Sequence, residues 1–240
     1  MKNKKAIGLL FVANIISGFA QGISMIAIPW YFADILEMGE TYAKAYAILT
    51  FVSLFWGLYS GTLIDRYSRK KMFLYSNLAC AFIIGSIALY GMSCGQTPWI
   101  LVMAVFGTTM FHYNVHYPNL YAFGQEITEP KNYAKLNAYI EIQGQSTSIF
   151  AGAFAAILLA GTKNGILNLL GFKIQMPFDI QPWQIHEIFL MDAFTYILAF
   201  IIILFIKYKP ILKKNIDHGN MFSRLIKGFS FLKENSMIFI

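Results

Sequence analysis

From Ala6 to Ala33 the chain runs 28 residues without a charged side chain, bracketed by Lys5 and Asp34. A helix that crosses the hydrocarbon of a bilayer needs about 20 mostly apolar residues. A soluble fold could not hide so long an uncharged segment, so this stretch commits the chain to a membrane. The start, Met1-Lys-Asn-Lys-Lys, also suits a secretory leader. A leader has an apolar core of only about 7–15 residues followed by a cleavage site. Twenty-eight uncharged residues therefore favour a retained first span.

More such segments follow. The second span falls at about 43–64. Met72 to Gln125 is again free of Asp, Glu, Lys and Arg, and is far too long for one helix. Its natural break is Gly91-Met-Ser-Cys-Gly-Gln-Thr-Pro98, dense in turn-forming residues. That break yields a third span near 72–91 and a fourth near 98–123; a fifth covers 138–161 and a sixth 186–206. The expected fold class is an all-α membrane protein with six transmembrane helices over 1–206. A basic linker at 207–234 follows, and 235–240 reads as the start of a seventh transmembrane helix. Between the fifth and sixth spans, Ile166, Leu167, Leu169, Leu170 and Phe172 suit the membrane interface.

Composition agrees. Apolar residues make up 57% of the 240 and charged residues 13%, about half the share of a soluble domain. Disorder, collagen-like repeats and a disulfide scaffold are excluded on the same grounds. The net charge of +7 raises the question of nucleic acid, but such binders gather their basic residues on one soluble face. Here Lys and Arg lie in short runs between apolar segments. With six spans, the N-terminus, 65–71, 125–137 and 207–235 share one side and hold 16 of the 19 Lys and Arg. By the positive-inside rule that side is cytoplasmic, which implies a multi-pass protein of the plasma membrane with a cytoplasmic N-terminus. Cys80 and Cys94 lie about 21 Å apart along one helix, too far for a disulfide, and neither has a ligand neighbour.

The segment between the second and third spans is Gly61-Thr-Leu-Ile-Asp65-Arg66-Tyr-Ser-Arg69-Lys70-Lys71. An acid at the membrane edge is costly unless it is paired or set against a helix N-terminus, and arginines nearby can make charge-assisted bonds. The stretch resembles the loop signature G-x-L-x-D-R-x-G-R-K of the major facilitator superfamily. Gly61, Leu63, Asp65, Arg66, Arg69 and Lys70 match it, with Ser68 where that family usually has Gly. Asp192-Ala-Phe-Thr-Tyr, Phe229-Ser-Phe-Leu-Lys-Glu-Asn and the segment from Pro118 through Glu126 to Asn137-Ala138 are similar to the drug- and macrolide-efflux branch.

The resemblance implies the N-terminal half of a two-half transporter, with a C-terminal six-helix half expected in the same full-length chain. It implies a conformational latch formed by Gly61, Asp65, Arg66, Arg69 and Lys70, in which Asp65 meets the other half and Arg66 and Arg69 are its partners. It also implies that the first and fourth helices line a central cavity. The fifth-helix antiport signature is replaced by Ala151-Gly-Ala-Phe-Ala-Ala156, which lacks its proline, and Met103 stands where some relatives carry a fourth-helix arginine.

Small residues recur every four positions at Gly144, Ser148, Gly152, Ala156 and Ala160, with shorter ladders at Gly18/Gly22 and Ser53/Gly57/Gly61. Such spacing lets helix backbones approach closely; in the second and fifth helices the resemblance implies packing against the other half. Polar residues inside spans are candidates for function. Asn14, Ser17, Gly18, Gln21 and Ser24 form one stripe, and Glu141, Gln145 and Ser148 another. His112, Asn114 and His116 occupy the fourth span, the two histidines sharing a face. Each has a plainer reading: Pro118 frees the carbonyl of Asn114, so Asn114 can simply repair a kink, and Glu141 can simply be wet. The histidine pair is read equally as cavity lining or as core packing. Two histidines at this spacing can ligate a metal, but no third ligand is evident, so no metal is assigned.

The cavity and substrate candidates are thus Asn14, Gln21, His112, Asn114, His116, Glu141 and Gln145. No phosphate-binding loop, nucleophile elbow or HExxH motif is present, so no enzymatic activity and no cofactor is expected. The expected function is secondary active transport, effluxing small amphipathic molecules by alternating access. The expected partners are the lipid bilayer and a small-molecule substrate, not nucleic acid. The alternative is a six-helix membrane binding or scaffold protein, or an inactive fragment.

Overall fold

The computed structural model describes residues 3–162, 166–169, 172–175 and 177–211. The expected seventh-helix start and most of the expected linker lie outside them. Among the described residues are six long helices: α1 (Lys4–Trp30), α2 (Gly39–Arg66), α3 (Arg69–Cys94), α4 (Trp99–Ile127), α5 (Tyr133–Ala160) and α6 (Ile185–Leu204). Each overlaps an expected span, and α2, α3 and α5 begin several residues earlier than hydropathy suggests. The early turns are polar: Glu40 and Lys44 pair at 2.6 Å one turn apart in α2, and α3 opens on Arg69, Lys70 and Lys71. Helical hydrogen bonding continues past the point where apolar character stops.

The ends follow local chemistry. Pro29 lies in the last turn of α1 and has no N–H to give; a π-helical stretch, Tyr31–Ile35, carries the chain onward. At the expected break between the third and fourth spans, Gly95 closes α3 with a φ of 73°, a conformation that Gly adopts without strain. Gln184 and Glu187 form a reciprocal capping box at the start of α6. The all-α expectation needs one correction, since Ile166–Leu169 and Phe172–Gln175 pair as an antiparallel hairpin. The β-branched and aromatic residues of that segment, Ile166, Phe172 and Ile174, suit a strand.

Among the described residues, five helical segments are long and apolar enough to cross a membrane: Lys4–Ile35, Gly39–Arg66, Arg69–Cys94, Pro130–Ala160 and Ile185–Leu204. α4 is as long, but His112, Asn114 and His116 lower its hydropathy. α3 packs along α6, α1 runs between α5 and α6, and α4 lies against α3 and α2. Two apolar clusters result. One holds Ile23, Phe32, Ile84, Phe106 and Phe189, the other Leu10, Phe73, Phe123, Ile140 and Ile203. Along the helices, the buried polar residues Asn14, Ser17, Asn77, Thr109, His112, His116 and Thr147 fall between them. The bundle has a polar middle layer.

Candidate functional site

Three polar assemblies stand out. The first ties one end of the bundle together. Arg69 Nη1 donates to the carbonyl of Ala122 at 2.7 Å and to Glu126 Oε2 at 3.2 Å. Lys70 Nζ donates to the carbonyls of Leu204 and Ile206 at 3.0 and 2.8 Å. Both cations therefore sit at helix C-termini, where exposed carbonyls and the helix dipole favour positive charge. Tyr208 donates to Glu126 Oε1 at 3.1 Å; burial, then the Glu126 carboxylate, push its phenol up to about 12. Asn3 donates to the carbonyls of Ile127 and Lys209. The N-terminus, the loop between α2 and α3, the end of α4 and the chain after α6 thus meet at one end, as the charge pattern requires.

Asp65 stands apart from this network. It is exposed, and among the described residues the expected pairing with Arg69 is replaced by Arg69–Glu126. Arg66 lies over the ring of Tyr67 at 5.8 Å. Gly61 leaves open space where a Cβ would stand. The motif therefore divides in two, with Arg69 and Lys70 fastening this bundle while Asp65 and Gly61 face outward.

The second assembly is a cavity of about 510 Å³, open on one side. α1 supplies Gly18, Gln21, Gly22, Met25 and Ile26, and α2 supplies Tyr46 and Ser53. α4 supplies Phe106, Thr109, Met110, Tyr113, Asn114 and Tyr117, and α5 supplies Ser148. Aromatic and methionine surface with a few polar groups suits a small amphipathic ligand. Gln21 and Asn114 are the sequence candidates that line it. Asn114 has two tasks there. Pro118 leaves its carbonyl without a helical donor, and the Ser60 hydroxyl of α2, with one proton to give, lies 2.9 Å from that carbonyl and 2.8 Å from the carbonyl of Gly57. The side chain of Asn114 meanwhile donates to Met110.

The third assembly is buried in the middle layer, away from the cavity. His116 Nε2 donates to Asn14 Oδ1 at 2.6 Å, and Asn14 Nδ2 donates to Gln143 Oε1 at 2.5 Å. Gln143 then donates to Thr147 at 3.3 Å. This chain crosses from α4 through α1 to α5. The His112 ring lies 5.0 Å from that of His116 and 5.1 Å from that of Tyr196 in α6. Asn14, His112 and His116 are therefore not grouped with Gln21 and Asn114. Of the two readings of the histidine pair, these contacts are those of core packing in the described residues.

Glu141 accepts a bond from Tyr121 on the exposed face of α5, and Gln145 is exposed one turn away. Sequence reasoning missed Gln143, Ser60 and Thr109. Gln143 and Thr147 lie four apart, the same spacing that drew attention to Glu141 and Gln145, but on the buried face. Ser60 could have been found only through knowledge that α2 crosses α4 at Asn114.

Among the described residues no cluster of three or more His, Cys, Asp or Glu side chains could hold a metal ion. A comparison with curated proteins finds no match. The family model described as Major Facilitator Superfamily matches residues 10–240, almost the full length and including the motif, the cavity helices and the polar layer. The chain belongs to the Major Facilitator Superfamily, a family of multi-pass membrane transporters.

Proposed function

We propose that this protein is a secondary transporter that effluxes small amphipathic molecules from the cytoplasm by alternating access. The observation that carries the reading is the one-sided cavity between α1, α2, α4 and α5. A transport site needs two walls, and here one wall is built while the facing side is open. The exposed apolar surface beside it supports the same reading: Ile48, Phe51, Leu54 and Phe55 on α2 and Ile149 and Phe150 on α5 are all more than 60% exposed. Exposure on this scale fits lipid or a second protein half. In the proposed arrangement a C-terminal six-helix half of the same full-length chain covers that face, and the two halves rock about the site.

Residues 1–206 then form the six-span domain in the plasma membrane, with the N-terminus cytoplasmic and 207–234 as a cytoplasmic linker to a seventh helix beginning at 235–240. Asp65, exposed beside an open Gly61, engages the second half as a latch, while Arg69 and Lys70 hold the loop that presents it. Gln21, Asn114 and Ser148 supply the polar contacts to substrate.

Ethidium efflux from proteoliposomes of the complete protein tests the reading. Saturable flux is expected, falling at least tenfold in the double variant Gln21→Ala, Asn114→Ala with insertion unchanged. Flux identical to that of empty liposomes, or indifferent to both substitutions, would sink it.

A further inference from the structure

α1 and α5 each place a lysine one turn before a run of groove-lining residues on the same face. On α1 the order is Lys4, Ile7, Phe11 and Ile15, and on α5 it is Lys135, Tyr139, Ile142 and Ser146, all at spacings of three and four. The six residues that follow the lysines line a groove of about 530 Å³ between the two helices. The ammonium of Lys135 lies 5.6 Å from the centre of the Tyr139 ring, at the edge of that groove. Both lysines are exposed. Among the described residues neither has a carboxylate partner, and the first turns of α1 and α5 carry no acid.

The groove is distinct from the cavity. Ile142 and Ser146 stand two residues before Gly144 and Ser148, about 200° around the helix, and Ser148 is the α5 residue that lines the cavity. Gln143 and Thr147 also border the groove, but their polar groups are spent inside the protein. Gln143 accepts from Asn14 and donates to Thr147. Apart from the Ser146 hydroxyl, what remains is hydrocarbon and aromatic wall, with Ile15, Tyr139 and Ile142 exposed.

From Ile7 to Ile15 the wall rises about 12 Å at 1.5 Å per residue. That is most of one leaflet of a hydrocarbon core about 30 Å thick, so a phospholipid acyl chain has the length and the chemistry to lie there. The two lysines then fall at headgroup depth, where basic side chains between helices attract lipid phosphate. A zwitterionic lipid brings its own cation to that depth. Charge complementarity therefore selects an anionic headgroup.

We propose that the groove between α1 and α5 is a site for one anionic phospholipid, with an acyl chain along Ile7, Phe11, Ile15 and Ile142 and its phosphate between Lys4 and Lys135. The lipid bridges the two helices on the side away from the cavity. The site stands apart from the efflux reading and does not depend on it.

Native mass spectrometry of the complete protein, delipidated and titrated with dioleoylphosphatidylglycerol or dioleoylphosphatidylcholine, tests the site. One phosphatidylglycerol should stay on each monomer under activation that strips phosphatidylcholine. Lys4→Gln combined with Lys135→Gln should weaken that retention roughly tenfold or more. Lys131→Gln, which removes an exposed lysine already paired with Glu129, should not. Ser146→Trp fills the groove while keeping both lysines. It should weaken retention as far, and abolish the rise in melting temperature that phosphatidylglycerol gives the wild type. Should the paired lysine variant fail to insert, Lys135→Gln alone and Ser146→Trp decide the matter. Equal retention of the two lipids, equal weakening by Lys131→Gln, or retention unchanged by Ser146→Trp overturns the site. Displacement of the lipid by inorganic phosphate at matched concentration also overturns it, in favour of a free anion held by the lysines.

Discussion

Arg69 spans from the first turn of α3 to the last turn of α4 to hold Glu126 at 3.2 Å, leaving Asp65, four residues before it, outside the pairing. The two side chains of the pair are 19% and 12% exposed, so solvent screens them far less than a surface pair. One residue of the loop signature is thus fixed to the bundle and the other is left to face outward.

That division predicts opposite phenotypes. Arg69→Ala strands a shielded carboxylate and removes a bond to the Ala122 carbonyl, and should cost roughly 2–3 kcal/mol, read as a lower melting temperature in detergent. Asp65→Asn should leave melting unchanged and impair transport by the complete protein. Equal melting of all three proteins would refute the division.

The same cluster carries a pH signature. Tyr208 is held near pKa 12 against an ordinary 10, so the folded state binds its proton more tightly than the unfolded chain. The resulting stability is full below about pH 10 and is lost as pH climbs toward 12. Tyr208→Phe should therefore flatten the fall in melting temperature over that window. A wild-type slope matching that of the variant would show that Tyr208 is neither buried nor held by Glu126.

At Pro118 in α4, Ser60→Ala should leave the Asn114 carbonyl without a donor, at about 1–3 kcal/mol. Pro118→Ala restores a helical N–H to that carbonyl. In the double variant the penalty of losing Ser60 should therefore shrink to a few tenths of a kcal/mol. Additive losses in the thermodynamic cycle would show that Ser60 acts through some other contact.

What the sequence disclosed and withheld has a physical pattern. Long apolar stretches poor in charge overlap each of the long helices among the described residues, because a bilayer demands apolar length of each segment separately. Gly95 and Pro98 mark the break between α3 and α4 because backbone conformation is a local property. The partners of polar residues are another matter. That His116 meets Asn14 and that Asn14 meets Gln143 depends on the rotation of three helices about their axes, which no single helix encodes. The α1 stripe shows this well: Gly18 and Gln21 turn to the cavity while Asn14, Ser17 and Ser24 turn to the core. At about 100° per residue the five positions span about a third of a turn, and the boundary between cavity and core runs through the stripe.

Topology gives a further check. Cysteines placed near Gln96 and Gln175 should react with an impermeant reagent added from outside, and those near Ser68 and Asn132 should not. Ser68 adjoins Arg69 in the network that also binds Asn3 and Lys209, so its exposure from outside would reverse the N-terminus as well.

Glycine substitutions separate the contacts already made from those awaiting a partner. A Cβ on Gly22 would lie 2.7 Å from Cβ of Ala151, whereas Cβ atoms on Gly57 and Gly61 meet nothing within 4 Å. Gly22→Ala should therefore force α1 and α5 apart, at about 1–3 kcal/mol, in residues 1–240 and in the complete protein alike. Gly57→Leu should leave the melting of residues 1–240 within about 0.5 kcal/mol of wild type, as an open surface position does. In the complete protein it should abolish ethidium flux, because small residues on α2 would there admit a helix of the second half. Flux that survives Gly57→Leu unchanged would mean that this face of α2 meets lipid, and the proposed packing of the two halves along it would fail.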